Sequence, residues 1–261
     1  MKYTYEYTIR YMDVDDTKHL RWAALEEYLL EVAGTVSDEL GYGIAVLHPR
    51  DLTWIITQLS VQMRYMPMPQ ERIVIETWIE RNAHMLSTRD YRIYLKPQAD
   101  SCRQDWRQIG ECKSVWAVLD MEKREIANIF DDPILEGCVD GEELPLPRSS
   151  RMISLPEAPH VPYVIRYSDL DYNRHCNSCK YLQAMLDTYL PEAMVAWQLG
   201  QGQLKGESIE AWRLDIHYSR EVYAGEQTSV AWQDEGNIVR YQMLNSEGLT
   251  SCAAALQKVE S

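Results

Sequence analysis

The feature that most constrains this chain is a short pattern that occurs twice. Tyr11, Asp13, Asp15 and His19 match Tyr167, Asp169, Asp171 and His175, each 156 residues further on (175 − 19). An amphipathic stretch follows each copy, with Leu25, Tyr28, Leu29, Val32 and Val36 after the first and Tyr181, Leu182, Met185 and Tyr189 after the second. That spacing puts each set on one face of a helix. Another segment keeps the register: Leu59-Ser-Val-Gln-Met-Arg-Tyr answers Leu214-Asp-Ile-His-Tyr-Ser-Arg at an offset of 155 (214 − 59). Self-similarity in order and spacing marks two copies of one structural unit, each about 125 residues long, an ordinary domain size.

Each copy predicts the same element order. In the first, residues 3–10 alternate as a strand does, Asp13 to His19 form a turn, and a helix runs from Arg21 to about Leu40, ended by Gly41 and Gly43. Four strand-like runs follow at 53–63, 72–80, 85–96 and 110–120. In the second, the order is a strand at 163–167, the turn, a helix from about Asn177 to Tyr189, a break at Pro191, a further helical stretch over 192–199, and strands at 210–219, 227–233, 238–245 and 250–259. Between them, residues 121–162 hold six prolines and mixed charge, with room for a short helix. The predicted division is therefore a first unit at 1–125, a linker at 126–160 and a second unit at 161–261. One long helix beside an antiparallel sheet, twice over, is an α+β layout in which the sheet wraps the helix.

Composition narrows the function classes. The net charge of −14 argues against nucleic acid, which needs a basic face. No apolar run approaches the ~20 residues that cross a bilayer, and the N-terminal residues lack the features of a targeting segment, so the expected location is cytoplasmic. Six cysteines in 261 residues are too few for a disulfide scaffold. Cys176-Asn-Ser-Cys179 has the spacing of a redox or zinc motif. No second Cys or His pair completes a zinc site, so the two are read as small residues opening a buried helix and no metal is expected.

The second copy gathers a carboxylate, an amide and an imidazole (Asp171, Asn173 and His175) where a turn enters a helix. Unpaired N–H groups at a helix start can stabilise a developing oxyanion, and the expected donor lies near Cys176. Asp-x-Asn-x-His followed by Cys-Asn-Ser-x-Lys-Tyr resembles the signature of the acyl-[acyl-carrier-protein] thioesterases of plants and bacteria. Leu52 to Gln62, Glu76-Thr-Trp, Arg89-Asp-Tyr and Tyr218-Ser-Arg-Glu221 resemble further stretches of that family in the same order, across nearly the whole chain except the linker.

The resemblance implies a tandem double hotdog, with an acyl-binding first unit and a catalytic second one. It implies hydrolysis of fatty acyl-[acyl-carrier-protein] to free fatty acid in fatty acid biosynthesis, without metal or redox cofactor. Its catalytic set falls on Asp171, Asn173, His175 and Glu221, with Glu221 as general base on water, Asn173 and His175 orienting water and carbonyl, and Asp171 fixing both. Val222 stands where plant members carry a cysteine. Arg174, Lys180 and Arg220, with Arg166, are candidates for contact with phosphopantetheine or the carrier protein. In the first copy Thr17 replaces the Asn and Met66 aligns with Glu221, so that copy is expected to be silent, with Asp15 and His19 satisfying each other and capping the helix. Trp54, Trp78 and Trp116 are expected in the core, some as tunnel wall, and Met63, Met66 and Met68 suit an adaptable apolar pocket. Three alternatives stay open: a hotdog acyl-CoA thioesterase, a non-hydrolytic acyl or carrier-protein binding module, and a hotdog dehydratase. A monomer and a homodimer are equally compatible with the sequence.

Overall fold

The computed structural model describes all residues except 84, 98–101, 131–132, 148, 150–151, 202–209 and 261. In chain order the elements are β1 (Lys2–Thr8), α1 (Trp22–Glu39), α2 (Ile44–Leu47), β2 (Leu52–Met63), β3 (Arg72–Ala83), β4 (Leu86–Lys96), β5 (Arg107–Asp120), β6 (Glu125–Ala127) and α3 (Pro133–Gly137). Then come β7 (His160–Val164), α4 (Ser178–Thr188), α5 (Glu192–Gln201), β8 (Glu210–Tyr218), β9 (Gln227–Asp234), β10 (Ile238–Leu244) and β11 (Thr250–Glu260). Among the described residues no helix is long and apolar enough to cross a membrane.

The strands form one 11-stranded sheet in the order β1-β3-β4-β5-β2-β8-β11-β10-β9-β7, with β6 added to β5. The order within each half is the same, and the two halves join through the antiparallel pair β2–β8. Leu59 pairs with Ile216 and Val61 with Leu214. The residue between them, Ser60, lies opposite Asp215, which is its own counterpart in the repeat (215 − 60 = 155). The pseudo-twofold axis thus passes between these two side chains, and Ser60 Oγ donates to Asp215 Oδ1 at 2.6 Å. This is a tandem double hotdog.

The helices fill the concave side of the sheet. Trp22, Leu25, Leu29 and Val32 of α1 and Tyr181, Leu182 and Met185 of α4 belong to one continuous core that also takes in Leu59, Ile75, Tyr91, Leu214 and Tyr241 from the strands. The apolar spacing read from sequence is the buried face. The C-terminal end of α1 is closed by left-handed Gly41 (φ 76°): Gly41 N–H donates to Asp38 O and Tyr42 N–H to Ser37 O, the paired bonds of a Schellman cap. Asn177 caps α4, its side chain accepting from Cys179 N–H at 3.1 Å.

Some local expectations change. The strand expected at 163–167 is at His160–Val164, and Tyr167–Asp169 is a single 3-10 turn. The physical cause is Asp169, whose carboxylate accepts from Arg166 N–H at 2.8 Å and closes the turn. The linker region contributes the short strand β6 and the short helix α3, and β5 begins at Arg107 rather than Gly110. Trp78 is core, packed with Leu144 and Leu146 on the outer side of the sheet, whereas Trp54 and Trp116 line a cavity. Met63 and Met66 are fully buried in the main core and do not line that cavity.

Candidate active site

The two copies of the sequence pattern build the same loop. In the second, Asp171 Oδ1 accepts from Asn173 N–H at 2.8 Å and His175 N–H at 3.1 Å. Asp171 N–H donates to His175 O at 2.8 Å, and Arg174 N–H to Asp171 O at 3.1 Å. A carboxylate two residues before a turn collects these donors because its short side chain reaches its own backbone. Arg174 between them is left-handed (φ 66°), as is Lys18 (φ 65°) in the first copy. There Asp15 Oδ1 accepts from Thr17 N–H at 3.0 Å and His19 N–H at 3.3 Å. Asp171 therefore fixes the loop through backbone bonds rather than through the Asn and His side chains.

The copies part company at the side chains. His19 is buried and its Nδ1 lies 3.1 Å from Thr17 Oγ1, with its other ring nitrogen buried and unpartnered. The expectation that Asp15 and His19 satisfy each other and cap α1 is corrected: Asp15 bonds backbone, Thr17 Oγ1 and Gln198, and α1 has Arg21 at its N-cap with no side-chain bond. Met66, opposite in the repeat to Glu221, is wholly buried.

In the second copy His175 Nδ1 lies 3.2 Å from Glu221 Oε1, with both side chains about one-fifth to one-quarter exposed, 21% and 24%. A carboxylate only accepts, so Nδ1 carries the hydrogen and the opposite nitrogen, Nε2, presents a lone pair. Glu221 Oε2 is ion-paired with Arg124 and accepts from Tyr223 Oη at 3.2 Å. The Tyr223 ring meets the imidazole edge-on at 4.9 Å between centroids.

The backbone around this group differs from expectation. Cys176 N–H donates to Val222 O at 2.8 Å, so it cannot serve an oxyanion. The N–H groups of Cys179 and Lys180 are taken by the Asn177 side chain and carbonyl. Ser178 N–H, at the first position of α4, has no acceptor among the described residues, and Ser178 lines the cavity. Burial pushes the Cys176 thiol up to about 12, so a thiolate nucleophile is disfavoured near neutrality.

A cavity of about 870 Å³ carries Asp171, Asn173, His175, Cys176, Arg220 and Glu221 on its wall. It continues past Trp54, Ile55 and Ile56 of β2 to Trp116 and Leu119 of β5 and to β3 and β4, beneath Leu30, Ala33 and Gly34 of α1. Gly34 faces open space. The described residues thus bring together Asp171, Asn173, His175 and Glu221 as expected. Arg174 is exposed, and neither it nor Lys180 lines the cavity. Arg220 does, while its guanidinium donates to Thr250 O at 2.8 Å. Sequence reasoning missed Arg124, Tyr223 and Ser178. Tyr223 lies two residues from Glu221 and Ser178 beside the cap, so both were within reach of the motif; Arg124 is 97 residues from Glu221 and no spacing announces it.

Two family models cover most of the chain: the acyl-ACP thioesterase N-terminal domain over residues 1–136 and the acyl-ACP thioesterase C-terminal domain over residues 155–258. The chain belongs to the acyl-ACP thioesterase family. Among solved structures it is similar to an acyl-ACP thioesterase from Bacteroides thetaiotaomicron (TM-score 0.82, 23% identity, 99% of this chain and 98% of that one). It is also similar to the 12:0-ACP thioesterase from Umbellularia californica (TM-score 0.78, 15% identity, 100% and 98%). At these identities the likeness is one of fold. A palmitoyl-acyl carrier protein thioesterase, chloroplastic, from Cuphea hookeriana is 23% identical over 69% of this chain and 43% of its own length. An oleoyl-acyl carrier protein thioesterase, chloroplastic, from Coriandrum sativum is 23% identical over 76% and 57%. The chain spans about half the length of the curated relatives it matches.

Proposed function

We propose that this member of the acyl-ACP thioesterase family hydrolyses fatty acyl-[acyl-carrier-protein], releasing free fatty acid and the carrier thiol. The observation that carries the reading is His175 held by Glu221 at 3.2 Å on the wall of a cavity of about 870 Å³ whose deeper part is mostly apolar. The relatives named for palmitoyl- and oleoyl-acyl carrier protein support the substrate class, and fatty acid biosynthesis is the setting it suits. The six cysteines are all unpaired, which suits a reducing cytoplasm.

The geometry supports roles that differ from those the motif alone implies. Glu221 already receives three donors, His175, Arg124 and Tyr223, which leaves it poorly placed to take a proton from water. His175 Nε2 is the base, and Glu221 fixes its tautomer and stabilises the imidazolium, as the carboxylate does in other triads. Water gives its proton to Nε2 as its oxygen adds to the thioester carbonyl. The resulting oxyanion meets Ser178 N–H at the helix start, with the Asn173 amide orienting carbonyl and water. Collapse expels the thiolate, which takes the proton back from His175. Asp171 holds the loop that carries Asn173 and His175. The N-terminal unit supplies most of the acyl-chain wall, and its own copy of the loop is silent because His19 is buried with no carboxylate partner. Arg174, which is exposed, and Arg220, on the cavity wall, offer the carrier protein a local basic contact against the global charge.

The test is thiol release from matched acyl-carrier-protein and acyl-CoA donors by wild type and His175→Gln. Faster release from carrier-protein donors, with a loss of roughly 10²–10⁴-fold in kcat for the variant, is expected. Preference for CoA would move the substrate. Release by the variant at the wild-type rate, or none from either donor, would overturn the assignment.

A further inference from the structure

Behind the start of α4 lies a buried carboxyl group that the mechanism does not use. Glu26 belongs to α1 of the first unit and is 1% exposed. Its counterpart in the repeat is Leu182 (182 − 26 = 156), a wholly buried core residue, so packing alone does not call for a carboxyl here. Oε1 accepts from Tyr218 Oη at 2.5 Å. Oε2 is buried with no hydrogen-bond partner among the described residues. The side chains of Ser178 and Cys179, from the first turn of α4, lie beside the carboxyl. Ser178 and Tyr218 line the cavity and Glu26 does not, which places the carboxyl one side chain behind the wall. The ionisable groups that face it are Tyr218 on β8, Cys179 on α4, Cys112 on β5, Cys252 on β11 and Glu27 next to it on α1. None of these is a cation, and burial raises the three thiols and the phenol well above their ordinary values. Burial likewise moves Glu26 from 4.5 up to about 7, so it changes charge across neutrality.

A helix start offers unpaired N–H groups and the positive end of the helix dipole. We propose that Glu26 is a positioning residue that governs whether the start of α4 can receive negative charge from the cavity. The neutral carboxyl leaves Ser178 N–H and the dipole to an incoming anion. The carboxylate draws on the same dipole from behind and repels that anion through an interior that screens far less than water. Linkage makes the effect reciprocal: an anion at Ser178 tightens the hold of Glu26 on its proton, so anion binding above pH 7 takes up a proton. A residue of the first unit thereby acts on the chemistry of the second without touching the substrate. That the anion is a thioester oxyanion rests on the hydrolase reading, whereas the electrostatic control does not depend on turnover.

Two measurements keep the two apart. The first is calorimetric binding of decanesulfonate, whose head is anionic at every working pH, beside decanol, whose head is uncharged. It is made in His175→Gln protein, which removes the imidazole as a second titrating group, and repeated in two buffers of different ionisation heat to count protons. Between pH 6 and pH 8.5 the sulfonate should lose about tenfold in affinity relative to decanol, with proton uptake at pH 8. Adding Glu26→Gln should flatten the profile and abolish the uptake. A flat profile in His175→Gln, or an equal fall with Glu26→Gln present, would overturn the proposal; where the double variant does not fold, the profile and proton uptake of His175→Gln decide alone. The second is the pH profile of kcat for thiol release from acyl-carrier protein. Glu26→Gln should match wild type at pH 6 and exceed it several-fold at pH 8.5, whereas equal losses at both pH values would mark a merely structural role and overturn the proposal. A sulfonate profile that depends on Glu26, without release from any donor, would sink the hydrolase reading and uphold the electrostatic control.

Discussion

Arg124 adopts a backbone conformation rare for any residue but glycine, with φ 59°, in the tight turn between β5 and β6. Its N–H closes that turn on Asp120 O at 2.8 Å. Left-handed backbone in an arginine costs about 1–3 kcal/mol, and such strain gathers at functional sites. Here it aims the guanidinium at Glu221. The cation holds the Glu221 carboxylate in place, so that it can orient His175. Arg124→Met should leave the fold intact, because the side chain is half exposed at 51%. It should lower kcat by about tenfold, one charge-assisted bond being worth roughly 1.5–3 kcal/mol before screening at a half-exposed site reduces it. Steady-state kinetics beside a thermal melt check this: unchanged kcat with an unchanged melt would remove Arg124 from the positioning role, and Arg124→Lys should recover part of the loss.

At the scale of elements, α1 and α4 cross with a carboxyl group between them. Glu26 on α1 is 1% exposed, accepts from Tyr218 Oη at 2.5 Å and has its second oxygen buried and unpartnered. Burial lifts its pKa from 4.5 to about 7. The folded protein therefore holds this proton more tightly than the unfolded chain, and the group's contribution is most favourable below 4.5 and declines as pH rises through about 7. The full swing is about 3 kcal/mol at 1.36 kcal/mol per pKa unit. Denaturant melts of wild type and Glu26→Gln at pH 5 and pH 8 read it directly: the variant should lose less stability between the two pH values, and parallel losses would show that Glu26 does not titrate in this range. Such a group was not legible in advance. Glu26 falls on the apolar stripe of α1, and only tertiary packing shows that Tyr218 meets it there. By contrast the helix faces, the Gly41 cap and the loop around Asp171 were readable, because periodicity and short-range bonds fix them. The N–H expected to serve an oxyanion, near Cys176, is instead taken by a long-range bond to Val222 O, which no local spacing announces. The meeting of Arg124 with Glu221 depends on how the sheet curls, which local spacing does not encode.

At the scale of the whole molecule, the repeat makes the two units inseparable. Their sheets fuse through β2 and β8, and one core runs under both. At the joint Arg213 Nη2 donates to Asp215 Oδ1 at 2.9 Å, with the side chains 4% and 0% exposed, and Arg213 also donates to Pro147 O at 2.7 Å. Asp215 takes the Ser60 hydroxyl besides. Removing Asp215 takes the carboxylate from a buried guanidinium, so Asp215→Ala should cost about 3–5 kcal/mol, against about 1 kcal/mol for Ser60→Ala, which deletes one neutral donor. Because the pair sits on the pseudo-twofold axis, the loss should be felt equally on both sides. Hydrogen exchange followed by peptide mass spectrometry makes the comparison: in Asp215→Ala, peptides from β3–β5 and from β9–β11 should lose the same protection. A deficit confined to one set would mean that the units open separately. The cavity, whose reacting end belongs to one unit and whose deeper wall belongs to the other, would then be a contact between two independently opening bodies rather than a feature of one.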